Sequence, residues 1–135
     1  MYCSSNKLAL MKSKIFLVTI LLSGLLSGCY YDVITPADTN APPQNVSFSG
    51  DLQPIFDQSC NKSGCHDGVA HEPDLTLSNS YNSIVAGGFI NTAIPTESIL
   101  YQEVKTGSMP LGSAPLSVDD TQKIYDWIRN GAPNN

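Results

Sequence analysis

Apolar positions fall into helical spacing at four places in the last two thirds of the chain. The clearest is the last, where Val118, Ile124, Trp127 and Ile128 follow one helical face. Ser117 stands ready as an N-cap, Asp119 and Asp120 put negative charge on the first turn, and Arg129 and Gly131 mark the end. The spacing predicts a helix over 118–130. A second helix is predicted over 97–105, with Leu100 and Val104 on one face, Thr96 or Ser98 as cap and Gly107 as stop. A third begins near Asp51; it tolerates Pro54 in its first turn and carries Leu52, Ile55 and Phe56 as a stripe. A short fourth helix is predicted over 79–85, before Gly87-Gly88. Loops fill 67–78, 87–96 and 107–116, and no hairpin signal is present. The pattern predicts an all-α domain with large loops.

Before these helices the pattern changes twice. Residues 15–26 form an unbroken apolar run preceded by Lys12 and Lys14. That run is shorter than the ~20 residues a helix needs to span a bilayer, and with its basic flank it reads as a secretory signal. Met11-Lys12-Ser13-Lys14 makes a natural start for such a signal, so residues 1–10 read as an upstream extension and Cys3 carries no role. From Tyr30 to Ser47 there is no period of 2 or 3.6, and Pro36, Pro42 and Pro43 favour an extended, semi-rigid tether. The division expected is 1–28 leader, 29–47 tether and 48–135 folded domain.

Composition sharpens this division. The 135 residues carry 14% charged residues and a formal charge of −5, well below the ~25% charged of an ordinary soluble domain. Only 7 Lys and Arg argue against nucleic-acid binding, which needs a basic footprint, and the length left after the leader cannot hold two dinucleotide-binding halves. Removing residues 1–28 takes away Lys7, Lys12 and Lys14 and no acid, moving the formal charge from −5 to −8. A domain of this size often relies on a disulfide, metal or cofactor to complete its core.

The chemistry-bearing residues begin at the end of the first predicted helix, with Cys60-Asn61-Lys62-Ser63-Gly64-Cys65-His66. Two Cys followed directly by His in an exported chain suggest covalent haem attachment, with the His as proximal iron ligand. Four residues separate the Cys where the usual motif has two; Asn61 and Gly64 tolerate the left-handed backbone that a bulge requires. Met109-Pro110, 43 residues after His66 in a loop without amphipathic period, offers a second axial ligand. Other readings of the cluster are a plain disulfide between Cys60 and Cys65 and a structural zinc on Cys60, Cys65, His66 and His71. His71 lies only five residues from His66, which suits a solvent-facing loop position better than the opposite haem face. Met109 could also be an ordinary core filler. Leu75, Leu77, Phe89, Ile94, Leu100, Leu111 and Trp127 are candidate pocket walls, and the Pro73 carbonyl is a candidate partner for the second nitrogen of His66.

Two resemblances attach to these residues. Leu26-Ser27-Gly28-Cys29 resembles the lipobox of bacterial lipoproteins, which implies cleavage before Cys29 and acylation of that residue, giving the multiple chains stable anchoring requires. Tyr30 rather than Asp after Cys29 implies, by the same resemblance, the outer membrane over the inner. The order of helix, Cys60-to-His66 motif, loops, helix, Met109-Pro110 loop and terminal aromatic helix resembles the small monohaem class I cytochrome c fold. It is similar in particular to lipoprotein-borne cytochrome c domains, through Asp51-Leu52-Gln53-Pro54-Ile55-Phe56, Ser98-Ile99-Leu100-Tyr101 and Ile124-Tyr125-Asp126-Trp127-Ile128-Arg129-Asn130-Gly131-Ala132. The resemblance implies a bundle of about four short helices around one haem c, thioethers at Cys60 and Cys65, iron ligands His66 and Met109, and packing of Phe56 against Trp127. The departure from the family pattern is the four-residue spacer.

The function expected is one-electron transfer by a membrane-anchored, periplasm-facing monohaem cytochrome. A His/Met pair leaves no open iron position, and no carboxylate pair, nucleophile-plus-base set or phosphate loop marks an enzyme. The expected partners are a redox protein with a basic docking face and the lipid membrane through Cys29, with no nucleic acid. The alternative from another class is an envelope lipoprotein acting as a binding or accessory module, its Cys/His cluster a structural disulfide or zinc site.

Overall fold

A computed structural model describes residues 41–135. The leader, Cys29 and the tether up to residue 40 lie outside the described residues. Four α-helices and no strands are present among the described residues: α1 (Gln53–Ser59), α2 (Ser80–Ala86), α3 (Ile99–Lys105) and α4 (Val118–Arg129). The all-α expectation holds, and none of these helices is long and apolar enough to cross a membrane.

The helix boundaries follow their capping chemistry. Ser117 caps α4 as expected: its hydroxyl accepts the Asp120 N–H at 3.0 Å. At α3 Ser98 is the N-cap residue, one of the two expected, but its side chain makes no capping bond. The Ser98 hydroxyl instead accepts the Asn91 N–H at 2.9 Å, and Pro95–Glu97 form a separate 3-10 turn, so α3 starts only at Ile99. The first predicted helix is also two pieces. A wide π turn over Phe48–Leu52 precedes α1, with Ser47 accepting the Gly50 N–H and the Asp51 carboxylate accepting the Ser47 N–H at 2.8 Å. The wide turn rotates Phe48 and Leu52 into the core, where both are buried.

Phe48 stands at the aromatic centre. Its ring lies 6.1 Å from Phe56, 5.2 Å from Tyr81 in an edge-on arrangement and 5.3 Å from Trp127. The expected Phe56–Trp127 packing is therefore mediated by Phe48, which precedes the stripe read from sequence. Leu52, Phe56, Ile84, Tyr101, Ile124, Trp127 and Ile128 complete the core, all essentially without exposure. A second stack, Tyr101 on Tyr125 at 4.5 Å, packs α3 against α4. Gln53 ties α1 to the α2 side through buried hydrogen bonds with the Ser80 hydroxyl (2.6 Å) and the Leu75 carbonyl (3.2 Å).

Ordered contacts begin ahead of residue 48. The Arg129 guanidinium donates to the Ala41 carbonyl at 2.8 Å and to the Asp126 carboxylate at 3.2 Å. Asp126 also accepts the Gln44 N–H, and the Asn130 side chain donates to the Gln44 carbonyl at 2.6 Å. Val46 is buried. The last part of the expected tether is thus a strap fastened along α4, because Pro42 and Pro43 keep it extended while its carbonyls find donors on that helix.

Candidate functional site

The end of α1 is closed by two amides on one acceptor. The N–H groups of Cys60 and Asn61 both donate to the Phe56 carbonyl, at 2.8 and 2.7 Å, which stops the helix and starts the loop to His66. Within the loop, Lys62 N–H donates to the Cys60 carbonyl, Cys65 N–H to the Lys62 carbonyl and His66 N–H back to the Cys60 carbonyl. The four-residue spacer is accommodated by these tight turns and by Gly64 at φ +79°, where no atom would obstruct a Cβ and the glycine requirement is one of backbone alone.

This loop forms one side of a cavity of about 580 Å³, inside the ~300–1,000 Å³ typical of ligand and cofactor sites. Cys60, Cys65, His66 and Met109 all line it. Of the expected apolar walls, Leu75, Phe89, Leu100 and Leu111 line the cavity. Leu77, Ile94 and Trp127 do not, which corrects that expectation: Trp127 is consumed by the aromatic core, while Leu77 and Ile94 face solvent. Ile99, Val104 and Pro110 are further walls, not among the expected ones.

His66 is oriented by the loop that follows it. Its Nδ1 lies 3.0 Å from the Pro73 carbonyl oxygen, the contact expected from sequence. A carbonyl can only accept, so Nδ1 carries the hydrogen and Nε2 keeps its lone pair, the tautomer a metal ligand needs. The Leu75 N–H returns a bond to the His66 carbonyl at 3.0 Å and the Asp74 N–H donates to the Ser83 hydroxyl, anchoring this loop to α2. Met109 reaches the same cavity from the loop after α3. Gly107, at φ +74°, ends α3, and the Met109 N–H donates to the Glu103 carbonyl at 3.1 Å, tying the loop to that helix.

The two thiols are inequivalent. Cys60 is partly buried and Cys65 exposed, and their sulfurs are not bonded to each other. Burial first, then the neighbouring Cys65, push the Cys60 thiol up to about 11, with Lys62 opposing. The Asp67 carboxyl is held below its ordinary value by accepting the backbone N–H groups of Gly64, Ala70 and Val69. Among the described residues no three His, Cys, Asp or Glu side chains are grouped to hold a metal ion. Cys60, Cys65, His66 and His71 therefore do not assemble the tetrahedral set a structural zinc requires. His71 is exposed at the rim of the cavity, beside Glu72.

No protein-family model, curated protein or solved structure matches the chain. Sequence reading missed the brace that Asp67 forms; the Asp67-Gly68 pair, a turn-forming dipeptide, was the available signal.

Proposed function

We propose that this protein is a membrane-anchored monohaem c-type cytochrome that transfers single electrons in the cell envelope. One observation carries the reading: Cys60, Cys65, an imidazole with its Nε2 left free and the Met109 thioether all line one largely apolar cavity of cofactor size. The donor chemistry fits haem c and fits zinc poorly, since two thiols, one oriented imidazole and a thioether correspond to attachment and axial ligation.

In this reading Cys60 and Cys65 would hold the porphyrin covalently, and His66 and Met109 would supply the iron ligands. A haem so held supplies a one-electron ferric/ferrous couple. The chain's own contribution is positional and electrostatic. The Pro73 carbonyl orients the His66 ring, Leu75, Phe89 and Leu100 give the cavity its apolar wall, and Met109 would supply the second iron ligand, which suits an electron carrier rather than an enzyme. Cys29 anchors the chain to lipid, on the outer membrane in preference to the inner, with the domain facing the periplasm. The acidic chain, −8 without its leader, favours a basic redox partner through electrostatic steering and disfavours nucleic acid.

Expression in a periplasm that has haem-attachment machinery, followed by a denaturing gel stained for haem, tests the reading. A band at the mature mass is expected. A mature protein without covalent haem refutes it.

A further inference from the structure

We infer that Asp67 is a positioning residue that holds the enlarged Cys60–Cys65 spacer in register, so that both thiols can attach. The inference rests on the cytochrome reading above and concerns what this particular spacer needs. With two extra residues between the cysteines, the loop has more backbone freedom than the usual motif, and Cys65 must still be presented beside His66. Backbone turns alone restrain it only in part: the bond from His66 N–H to the Cys60 carbonyl is long, at 3.3 Å.

Asp67 supplies the remaining restraint. One carboxylate oxygen accepts the Gly64 N–H at 3.0 Å, on the spacer side of His66. The other accepts the Val69 and Ala70 N–H groups, each at 3.2 Å, on the far side. A single side chain therefore brackets Cys65 and His66 from both directions, with charge-assisted bonds to three amides. Gly64 can offer its N–H in that direction because its φ of +79° turns the backbone over. A carboxylate has acceptors on both oxygens; an amide at this position keeps one acceptor and loses the other.

Attachment needs no external oxidant. Each thiol adds across a vinyl C=C bond, its sulfur to one carbon and its hydrogen to the other, with no leaving group. Register decides whether the second addition happens, since Cys60 is set by the end of α1 while Cys65 is set by the spacer.

Lys62 makes the test direct, because trypsin cleaves after it, between the two cysteines. In the full chain matured in the periplasm, two thioethers leave the Cys60 and Cys65 peptides cross-linked through haem. Asp67→Ala and Asp67→Asn are expected to lose the cross-link and to carry haem on the Cys60 peptide alone. The ferrous α-band is expected to move to longer wavelength, while far-UV circular dichroism retains its helical signal. Unchanged cross-linking in both variants overturns the inference. So does loss of helicity in Asp67→Asn, which would make the residue a requirement for folding rather than a local brace. Absence of covalent haem from the unsubstituted protein would instead refute the cytochrome reading itself, and is read separately in the same experiment.

Discussion

The ring of His66 and the carbonyl of Pro73 are 3.0 Å apart, a contact that fixes which imidazole nitrogen is free. The loop between them reverses direction within seven residues, and the Leu75 N–H closes it on the His66 carbonyl. In the haem-free protein, ¹⁵N spectra of the neutral His66 ring should show the hydrogen on Nδ1. An Nε2-protonated ring would remove the orientation on which the ligand assignment depends.

Met109, proposed as an iron ligand, lines the cavity and is tied through its backbone N–H to Glu103. Met109→Ala should abolish the sulfur-to-iron charge-transfer absorption of the ferric protein while leaving covalent attachment intact. An unchanged band would show that another group completes the iron.

Cys60→Ala removes the thiol that sits partly buried at the end of α1. A protein with haem on Cys65 alone is expected, seen as a ferrous spectrum shifted from that of the parent. A spectrum identical to the parent's would mean that Cys60 forms no thioether.

Phe48 contacts three aromatic rings and is buried to 4% exposure. Phe48→Ala should cost about 3–5 kcal/mol, the usual range for emptying such a site. Chemical denaturation of the protein measures the cost; a change below about 1 kcal/mol would mean that the centre collapses around the cavity.

Asp126 receives bonds from Gln44 N–H, Gln122 and Arg129 while buried at 1% exposure. Asp126→Ala removes the acceptor for the Gln44 N–H, Gln122 and one Arg129 bond, and should cost about 1.5–3 kcal/mol, the range for hydrogen bonds to charged groups. It should also free residues 41–47, so limited proteolysis should cut there faster than in the parent. Equal cleavage rates would mean that Arg129 and Asn130 hold the strap without Asp126.

Much of this architecture is written locally. Ser117 with its acidic first turn set the start of α4, and Gly107 and Gly131 set helix ends, because caps and positive-φ stops act within a few residues. The sequence also singled out Cys60, Cys65, His66, Met109 and the Pro73 carbonyl, but only the folded chain brings them to one cavity and sets the His66–Pro73 contact. The misreadings were non-local. Ser98 is the N-cap residue of α3, yet its hydroxyl takes the Asn91 amide seven residues earlier instead of a helix N–H, and no period in the sequence records that competition.

What the sequence determined by itself was the helical class, the four apolar stripes and the donor types near each helix end. Tertiary structure decided which side chains meet. Trp127, Leu77 and Leu75 look alike as apolar candidates, yet Phe48 draws Trp127 into the aromatic core, solvent takes Leu77, and Leu75 is buried against the cavity. It also decided that residues 41–47 are strap rather than free tether, since their partners lie more than eighty residues away on α4. Propensity and capping are properties of neighbours along the chain; burial and pairing are properties of neighbours in space, and they exist only once the helices have packed.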